Sequence, residues 1–271
     1  MKNITPKLSI AMILLSTILF SCKEEVPVKS VEFVKTNNSS TSSNPNDFYG
    51  IHHNAILDYY KDSLRFNVLN RIILHNGNYL VTDSCLNNIF KSCKNYCLIN
   101  GYTANQIDNV IDSINNFIYE YNLITEVNNK DAYKSIYNEI GSINSSLVIN
   151  NKIDSATYEA INLVCQSVNN NNSLSFTQSI IDSLELTIQP NYENSQLGMF
   201  ISIWNASSNY WDGYPTPQGI NNNQKLILAD AAGSLFGTLW GGVGSIVFGA
   251  LASCIEAETQ ERGNSNWGWL E

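Results

Sequence analysis

The sequence predicts an all-α fold, a multi-helix bundle that ends in a glycine-rich apolar helix or helical hairpin. Most segments after residue 47 carry apolar residues at three- and four-residue spacing, which is typical of helices with one buried face. No stretch shows the sustained alternation of a half-buried sheet. Residues 231–255 contain no charged side chain and are rich in glycine. These three observations favour helices packed around an apolar carboxy-terminal segment.

The clearest predicted helix spans residues 104–122. Thr103 and Gln106 form the pattern of a capping box at its start, and Gly101 supplies a turn before it. Its apolar stripe consists of Ile107, Val110, Ile111, Ile114, Phe117, Ile118 and Tyr121. Similar stripes predict further helices over about 50–63, 80–98, 130–142, 154–168, 175–188 and 193–209.

Two kinds of connection are indicated between these helices. Residues 71–74 and 79–82 flank the turn-like sequence His75-Asn76-Gly77-Asn78, so a small β-hairpin and a helix–turn–helix both remain open there. The asparagine runs 169–172 and 221–223 predict loops, because asparagine tolerates left-handed backbone conformations.

The amino terminus has the order of a secretory signal. Lys2 and Lys7 precede an apolar run from Leu8 to Phe20, which is too short to cross a bilayer core of about 30 Å as a stable helix. We therefore expect residues 1–21 to be removed as a signal peptide.

Residues Leu19-Phe20-Ser21-Cys22 resemble the lipobox of bacterial lipoproteins, although Phe20 is bulkier than is usual there. The resemblance implies that Cys22 carries a thioether-linked diacylglycerol and that palmitate-like acyl chains anchor the chain in a membrane. The alternative is an ordinary secretory signal followed by a coincidental cysteine.

Residues Lys23-Glu24-Glu25 resemble the export signal that sends Bacteroidota lipoproteins to the outer face of the outer membrane. The alternative is a group of solvated charges at the start of a linker. The resemblance implies a surface-exposed lipoprotein of an uncharacterised family, held in the outer membrane through Cys22. Residues 22–47 are predicted to be a disordered tether, and residues 48–271 a single helical domain.

Composition narrows the possible partners. Removal of the signal lowers the formal net charge from −9 to −11, because Lys2 and Lys7 are lost. Lys and Arg are not clustered, so we expect no nucleic-acid partner. Five cysteines remain besides Cys22, and they predict buried thiols or one or two disulfides. They lack the close pairs of structural zinc sites, so no metal site is predicted.

A histidine-containing segment begins the predicted domain. Gly50 to Tyr60 contains an H-N-x-x-L-D-Y pattern, which resembles one in uncharacterised exported proteins of Bacteroidota and implies no activity. His52, His53 and Asp58 could form a site. Histidines adjacent in a helix point about 100° apart and chelate poorly, so a capping or packing role is favoured for them.

Small residues recur every four positions in the apolar segment 231–255. They are Gly233, Gly237, Gly241, Ser245, Gly249 and Ser253. This strip lets another backbone approach closely, and it resembles the glycine zippers of small membrane-active bacteriocins. The segment could be a buried core helix or hairpin broken near residues 241–244, a membrane-inserting element, or an oligomerisation helix. We favour the buried core.

Two further patterns concern glycans. The triplets that begin at Asp62, Asp112, Asp154 and Asp182 match the pattern of Bacteroidota O-glycosylation, which implies modification at Ser63, Ser113, Ser155 and Ser183. The alternative is that Asp and Ser favour helix beginnings. An aromatic cluster could bind a glycan or pack in the core, and packing is favoured. It comprises Trp204, Tyr210, Trp211, Tyr214, Pro215 and Pro217, and Trp267 and Trp269 end the chain with further aromatics.

The common catalytic motifs are missing from the sequence. The sequence contains no G-x-S-x-G elbow, P-loop, H-E-x-x-H or dinucleotide fingerprint. We therefore expect no catalytic residues and no cofactor. The sequence favours a lipid-anchored, non-enzymatic binding module of the cell envelope, with a protein or glycan partner. The alternative is a membrane-active protein that uses the 231–255 segment.

Overall fold

The computed structural model describes residues 44–64, 72–76, 78–188, 195–212 and 220–261, and these form a predominantly α-helical fold. The all-α prediction is therefore confirmed. The helices are α1 (Asp47–Leu64), α2 (Asp83–Ile99), α3 (Ala104–Glu120), α4 (Ile140–Ile149), α5 (Ser155–Asn169), α6 (Leu174–Glu185), α7 (Gln196–Asp212), α8 (Ile220–Gly237) and α9 (Gly241–Glu261).

Helix α3 has the start and the buried face that its sequence predicts. The Thr103 hydroxyl accepts a hydrogen bond from the backbone N–H of Gln106, and the Gln106 side chain accepts one from the backbone N–H of Thr103 at 3.0 Å. This capping box satisfies backbone donors that the helix itself leaves unpaired. The buried residues of the helix are Ile107, Val110, Ile114, Phe117 and Ile118.

A small antiparallel sheet accompanies the helices. Its strands are β1 (Ile72–His75), β2 (Asn78–Thr82), β3 (Ile124–Val127) and β4 (Lys130–Tyr133), in the order β1-β2-β4-β3. The hairpin of β1 and β2 settles the question that the sequence left open at residues 71–82. Val81 of β2 pairs with Tyr133 of β4, which joins the two hairpins into one sheet.

The predicted helix over 130–142 is wrong. Residues 130–133 form β4, residues 137–139 form a 3-10 turn, and helix α4 begins only at Ile140. Asn128 and Asn129 have left-handed φ angles of 53° and 60°. Two such residues make the tight turn that matches the twist of a two-residue β-hairpin, and this turn brings β4 back along β3.

The two asparagine runs, both predicted to be loops, have different structures. Helix α5 ends at Asn169, and Asn171 has a left-handed φ of 56° in the turn that follows, as predicted. Residues 221–223 lie instead within the first turn of α8. The loop prediction is wrong there, because tertiary packing of a long apolar helix overrides the weak local preference of asparagine.

Helices α8 and α9 form an antiparallel hairpin around a 3-10 turn, Thr238–Trp240. Gly241 has a φ of +77°, a conformation that favours glycine, and it ends the turn at the break that the sequence indicated. A Cβ atom on Gly233 would lie 2.6 Å from the Cβ of Ala252. The small residues therefore allow the backbones of α8 and α9 to pack in close contact.

The other helices enclose most of this hairpin. Residues 231–237 and 244–258 are buried, and residues 238–243 at the turn are half-buried. Helix α8 packs on α7, and α9 packs on α1, α2 and α3. Residues 223–260 are apolar and long enough to cross a membrane, but 67% of the relevant window is buried inside the fold. In this structure the segment is the core of the helical body.

The amino-terminal boundary of this body differs from the predicted one. The Asn44 side chain donates to the carbonyl oxygen of Gly198 at 2.8 Å, and Ser202 donates to the carbonyl oxygen of Asn46 at 2.7 Å. Residues 44–47 therefore belong to the folded body, because these side-chain bonds tie them to α7. The signal peptide 1–21, Cys22 and tether residues 23–43 lie outside the described residues.

Candidate functional site

The described residues leave a cleft of about 590 Å³ between the sheet and the open end of the α8–α9 hairpin, opposite its turn. His75, Tyr79 and Thr125 line the sheet side, and Lys225 and Glu256 line the hairpin side. Residues 134–139, which follow β4, complete the wall. A volume of this size falls in the range of small-molecule sites, about 300–1,000 Å³. We call this region the Glu256 cleft.

Glu256 is the most unusual group of the cleft. Only 5% of the residue is exposed. One carboxyl oxygen accepts a hydrogen bond from the hydroxyl of Ser135, and the other accepts one from the side-chain amide of Gln260 at 2.6 Å. Burial raises the pKa of Glu256 to about 7, although the Gln260 bond and the charge of Lys225 act to lower it. Such a carboxyl can take up or release a proton near neutral pH.

Lys225 and Tyr137 lie beside Glu256. The Lys225 ammonium is 5.4 Å from the centre of the Tyr137 ring, a cation–π distance. The Tyr137 hydroxyl donates to Asn169 at 2.7 Å, and its backbone N–H donates to the Ser135 hydroxyl at 3.1 Å. These bonds fix the side chains around the carboxyl group, so the cleft is pre-shaped rather than formed by loose surface residues.

A second polar cluster lies deep between α1, α7, α8 and α9. Asp230 accepts hydrogen bonds from Ser207 at 2.7 Å and from the Trp211 indole at 3.0 Å. His53 Nε2 lies 3.8 Å from the same carboxyl oxygen, and neither side chain is exposed. Burial raises the pKa of Asp230 to about 8 and lowers that of His53 to about 4. Both groups therefore favour their neutral forms near pH 7.

This cluster is a structural feature of the core. A ligand cannot reach Asp230 or His53 without displacing the packed helices, since both are fully enclosed. The hydrogen bonds to Asp230 join α7 to α8, and they compensate part of the cost of burying a polar group. We assign the cluster to helix packing rather than to chemistry.

His52, His53 and Asp58 have separate partners. His52 Nδ1 is hydrogen-bonded to the Tyr96 hydroxyl at 2.7 Å. His53 Nδ1 contacts the side-chain oxygen of Asn54 at 3.0 Å. Asp58 accepts a hydrogen bond from Tyr210 at 2.9 Å. The three residues thus make different interhelical or local contacts, as the packing interpretation expects.

The cysteines are thiols throughout the described residues. Cys85, Cys93, Cys97 and Cys254 are buried, and Cys165 is half-buried. The sequence left buried thiols and disulfides as alternatives, and these cysteines are thiols in the structure. Burial raises the pKa of Cys97 and of Cys165 to about 12, which disfavours the reactive thiolate.

The small-residue strip lies mainly inside the hairpin. Gly233, Gly237 and Gly249 face the opposite arm, and the hydroxyl of Ser245 is hydrogen-bonded to that of Ser234. Ser253 is buried and faces Asp230. Gly241 differs from the others, since it lies at the turn and a Cβ atom there would contact nothing within 4 Å.

The predicted glycosylation sites are exposed or half-buried where the structure describes them. Ser155 and Ser183 are exposed, and Ser113 is half-buried; the Ser63 side chain lies outside the described residues. Asp154 is the N-cap of α5, so helix-start preference explains its triplet. The triplets at 112 and 182 lie within α3 and α6, where that explanation does not apply. Glycosylation of these serines remains a prediction.

The aromatic cluster cannot form a stacking platform where it is described. Trp204 and Trp211 are completely buried, and their indole N–H groups donate to Gln178 and Asp230. Tyr210 is half-buried. Tyr214, Pro215, Pro217, Trp267 and Trp269 lie outside the described residues.

The sequence did not single out the Glu256 cleft. Ser135 falls within a predicted helix that does not form, and Glu256 lies one residue beyond the apolar segment 231–255. The sequence did contain one signal. Glu256 and Glu258 directly follow the apolar residues 231–255, and no turn-forming residue separates them from that stretch. A carboxyl group on the apolar part of a helix is costly to bury unless other groups bond to it.

Comparisons add no further assignment. Among the described residues, no three His, Cys, Asp or Glu side chains are grouped as a metal site requires. No protein-family model, no curated protein and no solved structure matches the chain.

Proposed function

We propose that the chain is a lipid-anchored, surface-exposed protein of the bacterial cell envelope whose helical body binds a small polar ligand in the Glu256 cleft, without catalysis. The cleft itself is the observation that carries this proposal. It combines an open volume of about 590 Å³ with a buried carboxyl group held by Ser135 and Gln260. Convergent polar groups in a well-formed cleft of this size are a usual mark of a binding site.

The anchoring part of the proposal rests on Cys22 and on the residues before and after it. Native protein is expected to incorporate labelled palmitate and to fractionate with the outer membrane. Cys22→Ala should abolish the label and remove the protein from the outer-membrane fraction. Proteinase K added to intact cells tests surface exposure, and protection until the outer membrane is permeabilised would contradict it.

The binding part is tested on the chain from residue 22 with Cys22→Ala, which carries no acyl group. Calorimetric titration with small polar compounds of several classes is expected to find at least one ligand. Asn138→Trp places a large side chain on an exposed position of the cleft wall and should abolish that binding. Asn116→Trp, on the exposed face of α3, is the matched control. Binding that survives Asn138→Trp would contradict the cleft as the site.

The second candidate is a membrane-active protein that inserts the α8–α9 hairpin. One observation favours it. Asp230 and Glu256 both have raised pKa values, so loss of their charge, which membrane insertion requires, costs little. The enclosure of the hairpin by the other helices favours the binding proposal instead. The test is dye leakage from phosphatidylethanolamine–phosphatidylglycerol vesicles at pH 5 and pH 7. Leakage at either pH would support the membrane-active candidate, and intact vesicles would oppose it.

A further inference from the structure

We propose that the ligand of the Glu256 cleft is a neutral, polyhydroxylated molecule, that is, a mono- or oligosaccharide. This inference rests on the proposed function and gives its ligand a chemical class. The polar groups of the cleft fall into two sets: some are bonded to other groups of the protein, and others are available to a ligand. The inference follows from the chemistry of the second set.

The charged groups of the cleft are engaged within the protein. The Lys134 ammonium donates to the carbonyl oxygen of Asn122 at 3.0 Å, and Lys225 lies over the Tyr137 ring. Glu139 accepts a hydrogen bond from Ser142 at 3.3 Å, and Glu256 accepts bonds from Ser135 and Gln260. Each charged group therefore already has a partner in the protein that a charged ligand would have to share or displace.

The groups that remain available are neutral. Asn78, Tyr79, Thr125 and Asn138 line the cleft and form no side-chain hydrogen bond with the described residues. Amide, phenol and hydroxyl groups each both donate and accept hydrogen bonds. Sugar hydroxyls do the same, so a saccharide can satisfy such a surface at many points without a net charge.

Charge balance opposes the other ligand classes. Two lysines and two glutamates line the cleft, together with His75, and the chain as a whole has a formal net charge of −9. An anionic ligand would approach against this overall charge, toward lysines that already contact Asn122 and Tyr137. A cationic ligand would find the buried carboxyl group of Glu256 already bonded to Ser135 and Gln260, with its pKa raised by burial to about 7.

Glu256 has a defined role in this arrangement. Its carboxyl group lies at the cleft wall, bonded to Ser135 and Gln260, and holds both side chains in place. Glu256→Gln keeps the shape and most of the hydrogen-bonding capacity. A neutral ligand should therefore tolerate Glu256→Gln with less than about tenfold loss of affinity, whereas a cationic ligand should lose much more.

The test uses calorimetric titration of the Cys22→Ala chain with four probe groups. These are neutral oligosaccharides of two to five glucose, galactose, mannose or N-acetylglucosamine units, sugar phosphates, spermidine, and uncharged tripeptides. We expect a neutral oligosaccharide to bind. Asn78→Ala and Asn138→Ala should each weaken it about two- to tenfold, since each removes one neutral hydrogen-bonding group. Asn116→Ala is the matched control and should have no effect.

The outcomes separate this inference from the proposed function. Binding of a phosphate, polyamine or peptide probe that Asn138→Ala weakens would overturn the saccharide class and leave the cleft as a binding site. Saccharide binding that neither Asn78→Ala nor Asn138→Ala changes would overturn the inference, because the sugar would lie elsewhere. If no probe of any class binds, the proposed function itself fails.

Discussion

Gly237 and Gly244 lie against each other across the α8–α9 hairpin with no space for a side chain between them. A Cβ atom on Gly237 would overlap the carbonyl oxygen of Gly244 and would lie 2.5 Å from its carbonyl carbon. The atoms in the way belong to the backbone and cannot rotate aside. This contact brings the two arms together immediately before and after the turn.

The first prediction concerns this contact. Gly237→Ala should lower the free energy of unfolding by about 1–3 kcal/mol, because the added methyl group forces α8 and α9 apart. Gly141→Ala, at an exposed position of helix α4, is the matched control: its Cβ would meet nothing within 4 Å. There the same substitution should raise stability by about 0.5–1 kcal/mol, through helix propensity alone. Urea unfolding measures both variants, and equal effects would contradict the packing.

The second prediction concerns pH. Burial raises the pKa of Asp230 to about 8 and that of Glu256 to about 7, both above the ordinary carboxyl range. The folded state therefore binds more protons than the unfolded state, and stability falls as pH rises toward 8. His53 has the opposite effect, because burial lowers its pKa from 6.5 to about 4 and the unfolded state then binds more protons at this residue. This effect is confined to pH values below about 6.5.

The effect of the two carboxyl groups on stability is consequently clearest between pH 6.5 and pH 8. The free energy of unfolding should fall there by roughly 1.4 kcal/mol per pH unit for each extra proton bound. Asp230→Asn should flatten the upper part of the window, between pH 7 and 8. Urea titrations at half-unit pH steps provide the measurement. A stability that rises from pH 6.5 to 8 in the unmutated protein would show that these carboxyl groups are not buried as described.

The third prediction concerns the thiols. In the Cys22→Ala chain, the five remaining cysteines should react slowly with Ellman's reagent at pH 7.5. Four of them are buried, and burial raises the pKa of the half-buried Cys165 to about 12. Cys165 should be the first to react, and all five should react quickly in 6 M guanidinium chloride. Rapid labelling of two or more thiols in the native protein would contradict the burial of these thiols in the core.

The fourth prediction concerns the turn between β3 and β4. Asn129 has a φ of 60°, which glycine adopts freely and β-branched residues avoid. Asn129→Gly should leave stability within about 0.5 kcal/mol or raise it slightly, and Asn129→Val should lower it by about 1–2 kcal/mol. Thermal unfolding of both variants checks this. Comparable stability of the two would exclude the tight hairpin turn.

The sequence predicted features that depend on local pattern. The apolar stripe and capping box of α3, the break near Gly241 and the close approach of the glycine strip are all present in the structure. Each depends on residues that are near one another in the chain. Periodicity and turn chemistry report such features directly.

The features that the sequence did not predict depend on few residues or on distant ones. Strand β4 has four residues, of which Ala132 and Tyr133 are buried, so its pattern is too short to distinguish from a helical stripe. The Glu256 cleft brings together residues from the sheet, the segment after β4, and helices α8 and α9. No local pattern connects Ser135 with Glu256, which are 121 positions apart.

Hydrogen exchange of the Cys22→Ala chain, with and without millimolar neutral oligosaccharides, tests the central claim most directly. The account predicts slower exchange in residues 78–82, 134–139 and 256–260, which border the Glu256 cleft, and unchanged exchange at the hairpin turn, residues 238–243. Unchanged exchange around the cleft would contradict the account. So would faster exchange along α8 and α9 on addition of lipid vesicles, because it would show that the hairpin leaves the core to act on membranes.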